Sequence, residues 1–149
     1  MGILSKIDFE LIIPSDIDEI FKLITNYERF PEFFENQLKS VKIYDSNNSK
    51  VTTEETMVFS TLFKHELIQR SIHEHFAPNK ILTKVISGPF ENSTMEVLLD
   101  KIDEGTKISV KIELKLIFKY KILEPIIKKK YKIIFTALLY KINNIIQNQ

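Results

Sequence analysis

Two histidines spaced for one face of a strand are the first residues of this sequence that could do chemistry. His73 and His75 are separated by one residue, so in a β-strand both imidazoles would project from the same side, as two metal ligands do. No third metal-ligating residue stands at a matching spacing. A histidine pair on the solvent side of a strand is the commoner arrangement, and the sequence therefore predicts exposed histidines and no metal site.

Adjacent carboxylates offer a second kind of chemistry, general acid–base catalysis. Glu54 and Glu55 lie in a predicted strand, where neighbouring side chains point to opposite faces, and Asp103-Glu104 lies in a predicted turn, where carboxylates are solvated. Neither pair forms a convincing acid–base dyad. The few glycines form no phosphate-binding loop or dinucleotide fingerprint, and no Gly-x-Ser-x-Gly motif occurs. The sequence therefore predicts no cofactor and favours a binding protein over an enzyme.

The composition is that of an ordinary globular protein. The chain has 149 residues, of which 44% are hydrophobic and 28% charged, and it contains no cysteine. No apolar run reaches the length of about 18 residues that a membrane-spanning helix needs, and the apolar stretch at the N-terminus is too short for a signal peptide. We therefore expect one domain, residues 1–149, in the cytoplasm.

Strands are indicated by alternating apolar and polar residues. From Thr106 to Phe118 apolar residues recur at every second position, which predicts a long strand with one buried face, joined by the turn Asp103-Glu104-Gly105 to the strand before it. The same pattern predicts a first strand over about residues 7–13. Four further strands are predicted from stretches rich in valine, isoleucine and threonine, at about 38–45, 50–63, 66–76 and 80–87.

Helical spacing of apolar residues predicts a short helix over residues 16–25, with Ser15 as its N-cap, and Pro31 favours a second short helical turn. One long helix is predicted from about Pro125 to Asn148. Together these elements predict an α+β fold. A curved seven-stranded antiparallel sheet wraps around the long C-terminal helix, and two short helices follow the first strand.

Charge is divided unevenly along the chain. Residues 1–106 hold 11 basic and 18 acidic side chains, whereas residues 107–149 hold 10 basic and 2 acidic ones. In the predicted sheet the lysines of the last strand can face acidic residues of the neighbouring strands. These lysines are Lys107, Lys111 and Lys115, and their expected partners are Glu96 and Asp100, or Asp8 and Glu10.

The segment after the first helix carries a family resemblance. Residues 26–33 read Asn-Tyr-Glu-Arg-Phe-Pro-Glu-Phe, which matches a motif of an acidic or amide residue, an aromatic-acidic-arginine run and Tyr/Phe-Pro-x-Phe. Ser87-Gly88-Pro89-Phe90 and Gly105-Thr106 match two further turns of the same family. The chain therefore resembles the START-like (SRPBCC) superfamily, whose fold is called helix-grip. Within it, the chain is most similar to the polyketide cyclase and coenzyme Q-binding group.

This resemblance implies an apolar cavity between the sheet and the long helix that holds a lipid, an isoprenoid quinone or a polyketide-like molecule. The leading interpretation is a carrier or chaperone of such a molecule. Ser93 and Val97-Leu98-Leu99 replace the leucine and Trp-x-Phe of the family, so quinone specificity is not carried over. The residues expected to bind the ligand are Phe9, Leu11, Phe21, Tyr27, Phe30, Phe33, Phe34, Phe59, Phe63, Phe90, Val97, Leu99, Ile112, Leu114, Leu116, Ile134 and Leu138.

Two alternatives stay open. A cyclase or dehydratase would use the same cavity, but it needs ionisable groups inside, and the inward face of the last strand has none. The exposed lysines of the last helix, Lys128, Lys129 and Lys132, could contact an anionic membrane surface, or RNA and the ribosome, or only solvent.

Overall fold

The predicted order of elements is confirmed. The structure, a computed structural model, describes residues 3–34, 37–58, 66–116 and 122–149. Its helices are α1 (Ile17–Ile24), the 3₁₀ helix Tyr27–Glu32 and α2 (Glu124–Gln147). Its strands are β1 (Ile3–Ile13), β2 (Leu38–Asn47), β3 (Lys50–Met57), β4 (Leu67–Phe76), β5 (Lys80–Ser87), β6 (Thr94–Ile102) and β7 (Gly105–Leu116).

All seven strands form one curved antiparallel sheet in the order β1-β7-β6-β5-β4-β3-β2. Every strand from β2 to β7 pairs with its neighbour in sequence, and β1 closes onto β7. The predicted strand over 50–63 ends at Met57, and its last residues lie outside the described part of the chain.

The predicted pairing of the β7 lysines with acidic neighbours is confirmed for Lys107 and Lys111, whereas Lys115 lies opposite Leu4 of β1. Lys111 lies opposite Glu96 of β6 and opposite Asp8 of β1, and Lys107 lies opposite Asp100. The Lys107 ammonium is 3.7 Å from the Glu10 carboxylate. Two of the ten basic side chains in residues 107–149 thus lie opposite acidic residues within the sheet, whereas the lysines of α2 are not part of it.

Helix α1 begins at Ile17, one residue later than the prediction of Ser15 as N-cap requires. Asp16 is the N-cap, and its carboxylate accepts a hydrogen bond from the Asp18 backbone N–H at 3.1 Å. The assignment of Ser15 as N-cap was wrong. Its hydroxyl is buried and donates to the amide oxygen of Asn143 near the end of α2. Sequence spacing could not show this competing partner, because it is 128 residues away.

The core lies between the inward face of the sheet and α2. The inward residues of β7, Ile108, Val110, Ile112 and Leu114, are almost fully buried. From α2, Ile127, Leu138, Leu139 and Ile142 pack against the same core. No helix among the described residues is long and apolar enough to cross a bilayer.

Candidate functional site

A cavity of about 170 Å³ lies between the inward face of the sheet and the first half of α2. Its apolar walls come from the 3₁₀ helix and the turn after it, from the sheet, and from α2. These apolar residues are Phe30, Phe34, Leu38, Met57, Val85, Met95, Ile112, Leu114, Tyr131, Ile134 and Phe135. Its polar lining residues are Gln37, Glu55, Gln69, Ser71, His73, Thr83, Ser93 and Thr94.

The cavity has room for about one aromatic ring. An apolar cavity of about 150 Å³ in another protein accommodates benzene, so 170 Å³ accepts a molecule of that size and little more. A complete lipid or isoprenoid quinone exceeds this volume. Any longer chain would have to project from the cavity.

Aromatic side chains from residues 26–34, called the aromatic segment below, and from α2 form one side of the cavity. The ring of Phe34 packs edge-on against Phe30 at 6.0 Å and against Phe135 at 6.4 Å between centroids. Tyr131 packs on Phe135 at 6.0 Å. Phe34, in the turn after the 3₁₀ helix, therefore joins Phe30 of that helix to Phe135 of α2 through aromatic contacts that form part of the cavity wall.

The polar end of the cavity is built by β3, β4 and β5. Along each strand every second residue points inward, and the register places Glu55 beside Gln69, Thr53 beside Ser71, and His73 beside Thr83. Because these pairs share one face, six inward polar groups are brought together from three strands.

Hydrogen bonds join these groups into one chain. The Thr53 hydroxyl donates to Glu55 Oε1 at 3.0 Å, and His73 lies between Thr53 Oγ1, 2.9 Å from its Nε2, and Thr83 Oγ1, 2.8 Å from its Nδ1. A hydroxyl has one proton to donate, so Thr53 accepts from His73 Nε2–H. His73 Nδ1 then carries no proton and accepts from Thr83. The network thus determines the neutral imidazole tautomer of His73.

Burial shifts the pKa of both ionisable groups in this network toward the neutral form. It raises the pKa of Glu55 from its ordinary value near 4.5 to about 7, although hydrogen bonds from the Thr53 and Ser71 hydroxyls lower it. Burial lowers the pKa of His73 from about 6.5 to about 3. At neutral pH the cavity therefore contains a neutral imidazole and a carboxyl group that is about half ionised.

Tyr27 connects the aromatic segment to this polar end. Its phenol ring stacks on the His73 imidazole, and its hydroxyl lies 2.7 Å from His75 Nε2. Burial raises the pKa of the Tyr27 phenol and also that of Tyr131, with the nearby Glu55 charge as a second cause in each case. Both phenols therefore stay protonated at neutral pH.

Gln69 carries a polar atom that the described residues leave unsatisfied. Its side-chain oxygen Oε1 is buried and has no hydrogen-bond partner among them, and the residue lines the cavity next to Glu55. Buried acceptors in folded proteins are nearly always paired, with protein or with another molecule. The site can therefore accept a hydrogen bond from a donor placed in the cavity.

Five of the residues expected to bind a ligand line this cavity: Phe30, Phe34, Ile112, Leu114 and Ile134. Six others are buried in the core outside its lining, namely Tyr27, Phe33, Phe90, Leu99, Leu116 and Leu138. Four are half-buried away from it, namely Phe9, Leu11, Phe21 and Val97. Phe59 and Phe63 lie outside the described residues.

The expected exposure of the histidines was wrong for His73, whose exposed fraction is 6%. The expectation that Glu54 and Glu55 point to opposite faces agrees with the structure, in which Glu55 lines the cavity and Glu54 lies on the other side of β3. The inward-facing residues do recur at every second position, in Thr53-Glu55-Met57 and in Gln69-Ser71-His73. The sequence did not reveal that these positions are inward because most of them carry polar residues. Among the described residues no cluster of metal-ligating side chains occurs.

The predicted surface residues Lys128, Lys129 and Lys132 are exposed on the first half of α2. Lys129 lies on the side of the helix opposite the cavity residues Tyr131 and Ile134, whereas Lys128 and Lys132 lie at the edge of the cavity-lining side.

The architecture matches solved structures over nearly the whole chain. TTHA0849 of Thermus thermophilus aligns with a TM-score of 0.81 at 13% identity, covering 97% of this chain and 98% of that one. The Zhui aromatase/cyclase of a Streptomyces species aligns with a TM-score of 0.77 at 10% identity, covering 94% of each chain. A START superfamily protein of Mycobacterium smegmatis aligns with a TM-score of 0.72 at 13% identity, covering 97% of each. At these identities the likeness shows the fold.

A sequence comparison gives the family. Residues 13–139 match the model of the family described as polyketide cyclase/dehydrase and lipid transport. No curated protein matches the chain significantly.

Proposed function

Since the chain belongs to the polyketide cyclase/dehydrase and lipid transport family, we propose that its cavity binds a small hydrophobic molecule of about one aromatic ring that carries a hydroxyl group. The ring would lie among Phe30, Phe34 and Phe135, and the hydroxyl would lie between Glu55 and Gln69. The protein would act as a carrier or chaperone of this molecule. A longer apolar chain, as in a lipid or quinone, would extend beyond the cavity.

The observation that carries the proposal is the buried, unpaired oxygen of Gln69 beside the Glu55 carboxyl. Both groups accept hydrogen bonds when Glu55 is ionised, and the cavity is otherwise largely apolar. A hydroxyl on the ligand would satisfy an acceptor that otherwise costs about 1–3 kcal/mol to leave buried. The aromatic walls would supply most of the affinity through burial of apolar area.

A matched pair of probes tests this proposal. Phenol and toluene have similar size, but only phenol can donate a hydrogen bond, and binding of each is measured by titration followed in ¹⁵N–¹H correlation spectra. We expect both to shift resonances of cavity residues and phenol to bind about tenfold or more tightly. Gln69→Leu should reduce that preference, whereas Gln149→Leu at the exposed C-terminus should keep it. Equal affinity for both probes, or no binding, would contradict the proposal.

An enzymatic function of the same cavity is a second candidate, favoured by the raised pKa of Glu55. A carboxyl group with a pKa of about 7 exchanges protons readily at neutral pH, and its ionised form could remove a proton from a carbon next to a ketone. Protonated Glu55 could equally assist the departure of a hydroxyl group in a dehydration. In either role Glu55 is the only cavity-lining residue of the described part of the chain with such a pKa.

Proton exchange with solvent distinguishes the enzyme from the carrier. The methyl protons of 4-hydroxyacetophenone, a ring-sized ketone with a phenol group, exchange with deuterium in D₂O only when a base removes them. A catalyst would accelerate this exchange, with a rate that rises as pH increases through 7, and Glu55→Gln should reduce the rate about 100-fold or more. Binding of the ketone without accelerated exchange would exclude this enzymatic function and support the carrier function.

A further inference from the structure

The outward face of α2 carries apolar residues where a solvated helix is normally polar. Ile126, Ile133 and Tyr140 recur at intervals of seven residues and have exposed fractions of 47%, 56% and 51%. Ala137 is exposed on the same face. This outward stripe is about 21 Å long at a rise of 1.5 Å per residue. The inward face of α2 is apolar as well, so packing in the core does not account for these residues.

Lysines flank the outward stripe on both sides. Successive helix positions turn by about 100°, which places Lys129 next to the isoleucines, Lys130 on one flank and Lys132 on the other, with Lys128 farther round the helix. Residues 124–147 contain five lysines and one acidic residue, Glu124. Lys141 donates to the Phe33 carbonyl at 2.7 Å, but none of the other four lysines has an ion-pair partner among the described residues.

We infer that the outward stripe and its lysines form a docking surface for an anionic lipid bilayer. The isoleucines would enter the boundary between headgroups and acyl chains, and the lysines would reach the lipid phosphates on each side. Tyr140 has the aromatic, partly polar character that is enriched at this depth of a membrane. The positive charge of the lysines is complementary to the anionic lipid headgroups, and the apolar stripe is complementary to the acyl chains beneath them.

Two other occupants fit this surface less well. RNA would be held by the lysines and would find one ring for base stacking, Tyr140, but the exposed isoleucines add nothing to phosphate contacts or to stacking. A second copy of the chain, packed about a twofold axis, would bring the lysines of two α2 helices together and repel. The bilayer alone uses both the apolar and the basic residues.

The position of the cavity adds a consequence. Tyr131, Ile134 and Phe135 line the cavity from the opposite side of the same helix. Docking through the outward stripe would therefore place the cavity about one helix diameter, roughly 10 Å, from the lipid headgroups. This consequence rests on the proposed function, whereas the docking itself does not.

Vesicle sedimentation of the purified chain tests the inference. Vesicles of phosphatidylcholine alone are compared with vesicles that also contain phosphatidylglycerol. We expect binding to the anionic vesicles, weaker with added salt, and little binding to the neutral ones. Since each lysine at such a surface contributes a factor of about five, the variant K129Q/K130Q/K132Q should bind about 100-fold more weakly. The control K42Q/K84Q/K101Q removes three exposed lysines of the sheet and should bind as the parent protein does.

The isoleucines separate a membrane from RNA. Ile126→Ser with Ile133→Ser should weaken vesicle binding about tenfold or more, whereas Ile43→Ser with Ile68→Ser, which are 40% and 60% exposed on the sheet, should not. All these variants change exposed or half-buried side chains, and thermal unfolding verifies that they fold. Absence of vesicle binding overturns the inference. So does binding that the α2 variants leave unchanged, or binding of single-stranded RNA that depends on the lysines but not on the isoleucines.

Discussion

The imidazole of His73 lies stacked on the phenol ring of Tyr27, with centroids 4.1 Å apart and planes inclined by 18°. Tyr27 begins the 3₁₀ helix of the Asn-Tyr-Glu-Arg-Phe-Pro-Glu-Phe segment, and His73 is in the middle of β4. The contact joins the aromatic segment to the polar end of the cavity. This segment therefore has two roles in the structure, because Tyr27 anchors it to the sheet while Phe30 and Phe34 form part of the cavity wall.

Glu55→Gln should make the protein more stable at high pH. The pKa of Glu55 is about 7 in the folded chain and near 4.5 in the unfolded chain, so folding takes up a proton between these values. Stability from this group is complete below pH 4.5 and is lost as pH rises to about 7. Glutamine has no such loss, and the free energy of unfolding of the variant relative to wild type should rise by about 3 kcal/mol from pH 4.5 to 8.

Urea denaturation of both proteins at each pH measures this difference. Glu91→Gln, an exposed carboxylate in a turn, is the control and should change the free energy of unfolding by less than about 0.5 kcal/mol at either pH. A relative stability of Glu55→Gln that does not vary with pH would contradict the assignment of Glu55 as a buried group with a raised pKa.

His73 should remain a neutral imidazole with its proton on Nε2 at pH 5. Its pKa is about 3 in the folded chain, below the ordinary value of 6.5, so its contribution to stability is complete above pH 6.5 and is lost as pH falls toward 3. Between pH 4.5 and 6.5 this trend opposes that of Glu55. In this pH range the contributions of Glu55 and His73 therefore partly cancel in the free energy of unfolding of the wild-type protein.

Nitrogen-15 chemical shifts of the imidazole report the tautomer directly. Thr53→Val removes the acceptor of the Nε2 proton and should disturb the tautomer, whereas Thr52→Val, on the outward face of β3, should not. A doubly protonated ring at pH 5, or a proton on Nδ1 in wild type, would show that the hydrogen-bond order deduced for Thr53, His73 and Thr83 is incorrect.

Tyr27→Phe should destabilise the fold by about 1 kcal/mol, because it removes the 2.7 Å hydrogen bond between the Tyr27 hydroxyl and His75 Nε2. The ring itself, and its stacking on His73, would be retained. Tyr140→Phe is the matched control, since Tyr140 is 51% exposed on the outward side of α2. Denaturation at pH 7 measures both variants, and equal effects would indicate that the buried hydrogen bond contributes nothing.

Gly105→Ala should cost about 2 kcal/mol or more. Gly105 has φ +136°, and a Cβ there would meet the carbonyl oxygen of Ile13 and the Cα of Pro14. Because the obstacle is backbone, it cannot move aside as a side chain would. Asp103→Ala in the same turn is exposed and should change stability by less than about 0.5 kcal/mol. Thermal unfolding that shifts equally for both variants would contradict this explanation.

The order and type of the elements followed from the sequence alone. Strict alternation in β7 and the three-and-four spacing in α2 record which side of each element is buried, because burial selects apolar residues at local periods of two and 3.6. The pairing of Lys107 and Lys111 with acidic neighbours followed from the same alternation once the hairpin was placed. These inferences needed only neighbours along the chain or across one turn.

The composition of the cavity was decided by the tertiary structure. Whether an inward residue such as Leu116 packs in the core, or one such as Leu114 borders the cavity, depends on where α2 crosses the sheet, which no local pattern encodes. The polar end needed three strands in register, since Glu55, His73 and Thr83 are far apart in sequence and each resembles a solvated strand residue by itself. Only their convergence inside the fold removes water from Glu55, and that loss of hydration is what raises its pKa.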